Sequence, residues 1–213
     1  MIKSPKKKIK LFVEGDTEEN YFKRLRKDNN VEIIYQEVNM KGGGYSNFLK
    51  MIKKSGDLGY IAVFVIVDMD KIYEDRGSFN KLMEYCKTKN KSKKIPYFVV
   101  GTNKDFEFFA CSHCPNYKGQ PTSQYITNQF GYKSVETFKS DPKIFEFLNK
   151  NNRSYTLALE RLRKKQPYVK NEFKVMKQDM KISISSTNQN EDALAYQHSN
   201  IYELFDIIGV DLV

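Results

Sequence analysis

The chain has 213 residues, 40% of them hydrophobic, and a formal net charge of +10. With 15 Phe and 14 Tyr it has ample apolar surface for a core, which excludes intrinsic disorder and suits one domain, or a core domain with an appended part. The excess of Lys and Arg favours a polyanionic partner, while three Cys cannot make a disulfide framework and fit a reducing compartment.

In chain order, Ile9 to Val13 is a short apolar strand pattern after a basic start. Residues 17–28 place Tyr21, Phe22 and Leu25 on one helical face, with acids in the first turn, where they suit the helix dipole. Glu32 to Val38 reads as a second strand, Gly42-Gly43-Gly44 as a break, and Tyr45 to Lys54 as a helix. Tyr60 to Val67 is continuously apolar and β-branched, as expected of a central parallel strand covered on both faces. A helix around 78–88 and a fourth strand, Ile95 to Val100, complete a βαβαβαβ order and predict an open parallel α/β sheet with helical crossovers. Phe106 to Cys111 continues as a helix. After a loop at 114–122 the pattern is mainly helical: 122–130, 141–150, 155–165, 190–197 and 200–208. These features divide the chain into a core at 1–112 and a basic, mainly helical part at 113–213 packed on it.

Acidic residues stand where strands end. Glu14 follows the first strand and Asp68 and Asp70 follow the third. Ligands of open parallel sheets bind at the carboxyl ends of strands, near the switch point of strand order. If strands one and three are neighbours, the three carboxylates form a hard-oxygen site suited to Mg²⁺ or Mn²⁺. Residues two apart in extended backbone point the same way, so Asp68 and Asp70 are expected to face one ion. Asn103 and Glu107 follow the fourth strand and are second-tier site residues.

These residues carry a resemblance. Val13-Glu14-Gly15-Asp16-Thr17-Glu18 and Asp68-Met69-Asp70 resemble the signature of Toprim domains, found in primases, topoisomerases and OLD-type nucleases. Within these the chain is most similar to the RloB-like family, often encoded near restriction and phage-defence systems. Glu14, Thr17, Glu18, Tyr21 and Phe22 match its first motif, and Val67, Asp68 and Asp70 its second. Thr102, Asn103, Phe106, Glu107 and Phe108 match a third in part, with Lys104 where the family has Pro. The resemblance covers residues 9–110. It implies a Toprim-like catalytic core, Glu14 as general acid or base, Asp68 and Asp70 as metal ligands, and Glu18 as a further site residue. The implied activity is a metal-dependent nuclease acting on DNA or RNA, including tRNA, as an antiphage effector with a protein partner. The alternatives are a non-catalytic module binding nucleic acid or a partner, and a nucleotide phosphoesterase.

Residues 133–181 hold 13 Lys or Arg against 6 Asp or Glu, so this stretch carries most of the positive excess. Arg153, Arg161, Arg163, Lys164, Lys165 and Lys170, interleaved with Tyr155, Tyr168 and Phe173, are candidate contacts to nucleic acid through phosphate pairing and base stacking. Cys111, His113 and Cys114 supply fewer than the four ligands of a structural zinc, and Cys111 reads as a buried thiol. Gly42-Gly43-Gly44 lacks the following Lys and Ser/Thr of a nucleotide loop and reads as a turn. No run approaches the roughly 20 apolar residues of a membrane span. The expected location is the cytoplasm, away from membranes; the oligomeric state is not encoded legibly.

Overall fold

Ile9 to Val13 is buried along its whole length and forms most of β1 (Lys8–Val13), an inner strand of the sheet. The computed structural model describes residues 8–28, 34–91, 95–165, 169–170, 183–184 and 197–208. Helix α1 (Asp16–Asp28) leads to β2 (Ile34–Asn39), and α2 (Gly44–Ser55) to β3 (Ala62–Asp68). Helix α3 (Arg76–Lys91) leads to β4 (Tyr97–Asn103), followed by α4 (Phe106–Ser112). The sheet order is β2-β1-β3-β4-β7, parallel except for β7 (His198–Ser199), which pairs antiparallel with the end of β4. The expected open parallel α/β sheet is therefore what the chain forms. After β2 the chain crosses to the other side of β1, so the switch point lies between β1 and β3.

Strand alternation sorts the core into two layers. Leu11, Val13, Phe64, Ile66, Phe98 and Val100 face α1 and α4, with Tyr21, Phe22, Phe106 and Phe109. Phe12, Val63, Val65, Val67 and Val99 face α2 and α3, with Phe48, Phe79 and Leu82. Burial on both faces explains why β3 lacks a polar alternation.

Beyond α4 come α5 (Thr122–Asn128), α6 (Val135–Lys139), α7 (Ile144–Leu148), α8 (Tyr155–Arg163) and, near the end, α9 (Tyr202–Ile208). Helix α6 has no counterpart among the sequence expectations, and α7 is shorter than the predicted 141–150. Strands β5 (Val169–Lys170) and β6 (Ser183–Ile184) pair antiparallel in a separate sheet. Of the helix expected at 190–197, all but Gln197 lies outside the described residues.

The C-terminal helices share the α1–α4 layer of the core: Phe138, Phe145, Leu148, Leu159 and Phe205 belong to the same apolar cluster as Tyr21 and Phe109. Tyr21 is its hub, edge-on to Phe106, Phe109, His113 and Phe145. His113 Nδ1–H donates to the Phe109 carbonyl at 2.9 Å, which leaves Nε2 to accept the Tyr21 hydroxyl, also at 2.9 Å. Burial pushes this imidazole down to about 4, so it is neutral. Cys111 is likewise buried, and burial pushes its thiol well above the usual range.

At the far edge of β4, Asn200 takes the part of a strand. Its side-chain amide donates to Val99 O at 3.0 Å and its side-chain oxygen accepts Gly101 N–H at 2.9 Å.

Candidate active site

Because β1 and β3 are neighbours, Glu14 and Asp68 emerge side by side at the switch point. Glu14 Oε2 accepts the backbone N–H of Asp68 at 3.2 Å. The turn after β2 is docked beneath them: Gly42 N–H donates to Glu14 O at 2.9 Å, and Tyr45 Oη–H to Asp68 O at 2.8 Å. Gly43 has φ +92°, a conformation that side-chain-bearing residues rarely adopt, and a Cβ there would meet Asn47 Nδ2 at 2.7 Å. The glycine turn thus acts through its backbone. Asn39, at the end of β2, donates to Asp16 Oδ1 at 2.6 Å and Glu19 Oε2 at 2.7 Å, fixing the first turn of α1.

Above these residues lies a cleft of about 350 Å³ lined by Glu14, Thr17, Glu18, Asp68, Glu107 and Lys139, with Gly15, Asp16, Glu136 and Ser140 at its walls. Glu18 and Glu107 are both buried. Lys139 comes from α6 and approaches Glu107 Oε2 to 3.3 Å, with side-chain exposures of 48% and 4% respectively. Thr17 Oγ1 donates to the Lys139 carbonyl at 3.3 Å, joining α1 to α6.

Burial in a partly dry cleft governs the electrostatics, and the crowding of like charges adds to it. Burial pushes Glu18 up to about 8, assisted by Glu107 and Glu14. Burial and then Asp105 push Glu107 up to about 7 against the pull of Lys139. Asp68 is held well above the carboxylate range by burial, then by Glu18, Glu14 and Glu107. Glu14 is raised by burial, an effect moderated by the Asp68 N–H. Negative charge here exceeds what Lys139 offsets.

Asp70 is near Glu14 but does not line the cleft. The strand ends at Asp68, Met69 is buried, and Asp70 begins a turn with its side chain exposed and outside the cleft lining. Alternation does not extend into a turn, so strand geometry does not aim Asp70 with Asp68, although the Asp70 charge is felt at Glu14. Glu18 and Glu107 stand in the cleft instead. Asn103 is buried at the end of β4, in register with His198 of β7, and does not line the cleft.

The donors are all oxygen and their charge is under-compensated, which suits a hard divalent cation. Among the described residues, no group of three or more His, Cys, Asp or Glu side chains is placed to hold a metal ion. The fit is therefore to the Mg²⁺ habit of one or two carboxylates, with water and substrate oxygens as the remaining ligands.

The basic residues of the C-terminal part are mostly engaged in structure. Arg161 donates to the carbonyls of Ser112, Cys114 and Pro115 at 3.2, 2.6 and 2.6 Å, capping the end of α4. Arg153 lies 4.1 Å over the Phe147 ring and donates to Phe147 O at 3.0 Å. Arg163 pairs with Asp206, and Lys165 donates to Gln197 O at 2.8 Å. Lys164 is exposed at the end of α8, and the side chain of Lys170 lies outside the described residues.

A family model for RloB-like protein matches residues 9–206, which include both strand-end carboxylates and Lys139. The chain belongs to the RloB-like family. The family match runs well beyond the first 110 residues, so the C-terminal helices of this RloB-like protein are part of what the family shares. No curated protein and no solved structure matches it. Among the described residues no helix is long and apolar enough to cross a membrane.

Proposed function

We propose that this RloB-like protein is a metal-dependent nuclease that cleaves nucleic-acid phosphodiesters, serving as an antiphage effector. The observation that carries the reading is the meeting of Glu14 and Asp68 at the switch point, in a cleft lined by six carboxylates and one lysine. A binder of phosphate gains nothing from such a set, because like charges repel.

Asp68 and Glu14 would hold Mg²⁺ or Mn²⁺ from the protein side, with Asp70 close enough to add its charge. The ion, when bound, polarises the phosphate and lowers the pKa of a water ligand. Glu14 is the candidate to handle the proton of the attacking or departing oxygen. Glu107, raised to about 7, can exchange a proton near neutral pH, and Lys139 can approach a phosphate oxygen. Tyr45 and the glycine turn hold the ends of β1 and β3 in place.

The test is purified protein with Mg²⁺ or Mn²⁺ against plasmid, single-stranded DNA and total tRNA, beside Glu14→Gln. Metal-dependent cleavage lost in the variant supports the reading. Equal cleavage by both proteins sinks it. Plaque counts on cells expressing wild type or Asp68→Asn test the defence role, which predicts protection by the wild type alone.

A further inference from the structure

A second cavity, of about 490 Å³, is lined by Lys104, Asp105, Thr122, Ser123, Lys165 and Gln197. It lies close to the carboxylate cleft along the chain: Asp105 lines one and Glu107, two residues on, lines the other. The Lys104 backbone is fixed between strand ends, its carbonyl accepting Met69 N–H at 2.9 Å, while its side chain is exposed. Lys165 places its ammonium 5.5 Å from the centre of the Phe108 ring. The single acid, Asp105, already caps α4 by accepting Phe108 N–H at 3.0 Å.

Three physical points converge. The carboxylate cleft is net negative and repels the polyanion it is proposed to cut, so a strand needs cations beside it. Lys104 and the hydroxyls of Thr122 and Ser123, beside a Lys165 ammonium already held by Gln197 O at 2.8 Å, form a set of donors suited to a phosphate. The volume falls within the roughly 300–1,000 Å³ of ordinary ligand pockets, enough for a nucleotide unit and too little for a duplex.

We propose that this second cavity seats a phosphodiester of a single-stranded stretch of nucleic acid whose neighbouring linkage enters the carboxylate cleft. The inference rests on the nuclease reading and names its substrate as a strand rather than a mononucleotide.

The experiment measures binding apart from cleavage. Glu14→Gln protein is titrated with labelled oligo(dT) and oligo(U) of about 12 nucleotides, within the span of known single-strand sites. The same lengths as duplex and free mononucleotide competitors complete the set. Both Lys104→Ala and Ser123→Glu are exposed changes; each is expected to weaken binding by about 5-fold or more, and Lys104→Ala to lower the salt slope by about 0.7. Lys50→Ala, on α2 beyond the other face of the sheet, is expected to bind unchanged. Tighter binding of oligo(dT) or of oligo(U) identifies the sugar backbone, and either supports the pocket. Parent-like binding by both pocket variants, equal affinity for duplex, no binding of either strand, or displacement by mononucleotide overturns it. Wild-type protein that cuts nothing while Lys104→Ala still weakens binding removes the nuclease reading alone. Wild-type cleavage with unaltered binding in both pocket variants removes the pocket alone.

Discussion

Glu14, directly after β1, accepts the backbone N–H of Asp68 at the end of β3 at 3.2 Å, so one carboxylate both faces the cleft and ties together the two strand ends that form it. In Glu14→Gln the amide oxygen can still accept that bond, so the fold is retained while the charge and the proton-transfer role are lost. Cleavage is expected to fall by about 10²-fold or more, as for removal of a general acid or base. A melting temperature close to wild type, measured beside the cleavage assay, separates lost chemistry from lost structure.

Glu18 lies at about 8 in the fold against an ordinary 4.5, and Glu107 at about 7. A carboxyl raised by folding binds protons more tightly when folded, so stability falls as pH rises between the two values. The melting temperature should therefore drop from about pH 4.5 toward pH 8.5 through these groups. Glu18→Gln removes its share and should gain at least about 3 °C at the alkaline end, equivalent to about 1 kcal/mol. The gain should vanish near pH 4.5. Thermal scans across pH decide it, and a variant destabilised at pH 8.5 contradicts the crowding.

Mn²⁺ binds the ionised carboxylates and so competes with their protonation. Millimolar Mn²⁺ is expected to raise the melting temperature by about 5 °C at alkaline pH and by less at acid pH, with reversal by EDTA. Asp68→Asn should abolish the effect. An unchanged transition at every pH removes the metal from the proposal.

His113 is neutral in the fold at about 4, against 6.5 when free. A lowered pKa contributes stability that is present above pH 6.5 and lost as pH falls toward 4. His113→Leu should flatten that acid limb. It should also cost about 1–3 kcal/mol at neutral pH, because the Tyr21 hydroxyl loses its buried acceptor. Chemical denaturation at pH 7 and pH 4.5 reads both effects.

Arg161 sits in a basic run, yet its guanidinium serves three carbonyls at and beyond the end of α4. Arg161→Ala is expected to lose about 2 kcal/mol of stability, since charged hydrogen bonds to three carbonyls, two of them part-buried, disappear. Arg161→Lys should not restore it, because an ammonium cannot reproduce the planar fork. A stability loss without a specific loss of nucleic-acid affinity, by denaturation and binding titrations, is the expected pair of results.

The sheet was legible because β1, β3 and β4 each carry an apolar run, and burial on both faces leaves β3 apolar from Ala62 to Val67. The adjacency of β1 and β3 was a condition the sequence left open; the sheet order meets it, and with it Glu14 meets Asp68. For Asp70, alternation was carried past the end of the strand, which stops at Asp68, and Asp70 stands outside the cleft lining while its charge reaches Glu14. Lys139 was not singled out: it ends a five-residue helix too short to show periodicity, and only tertiary packing brings it to Glu107. The three partners of Arg161 are backbone carbonyls, which leave no trace in side-chain composition.

The amide of Asn200 closes β4 at the margin where a sheet is otherwise open to further pairing. A premature stop before residue 197 would uncover those groups and strip Ile201, Leu204 and Phe205 from the apolar layer. Such a product should accumulate as insoluble polymer through intermolecular strand pairing, even with every carboxylate of the cleft still encoded. Nearly the last dozen described residues therefore govern solubility, and C-terminal tags belong beyond them rather than in their place.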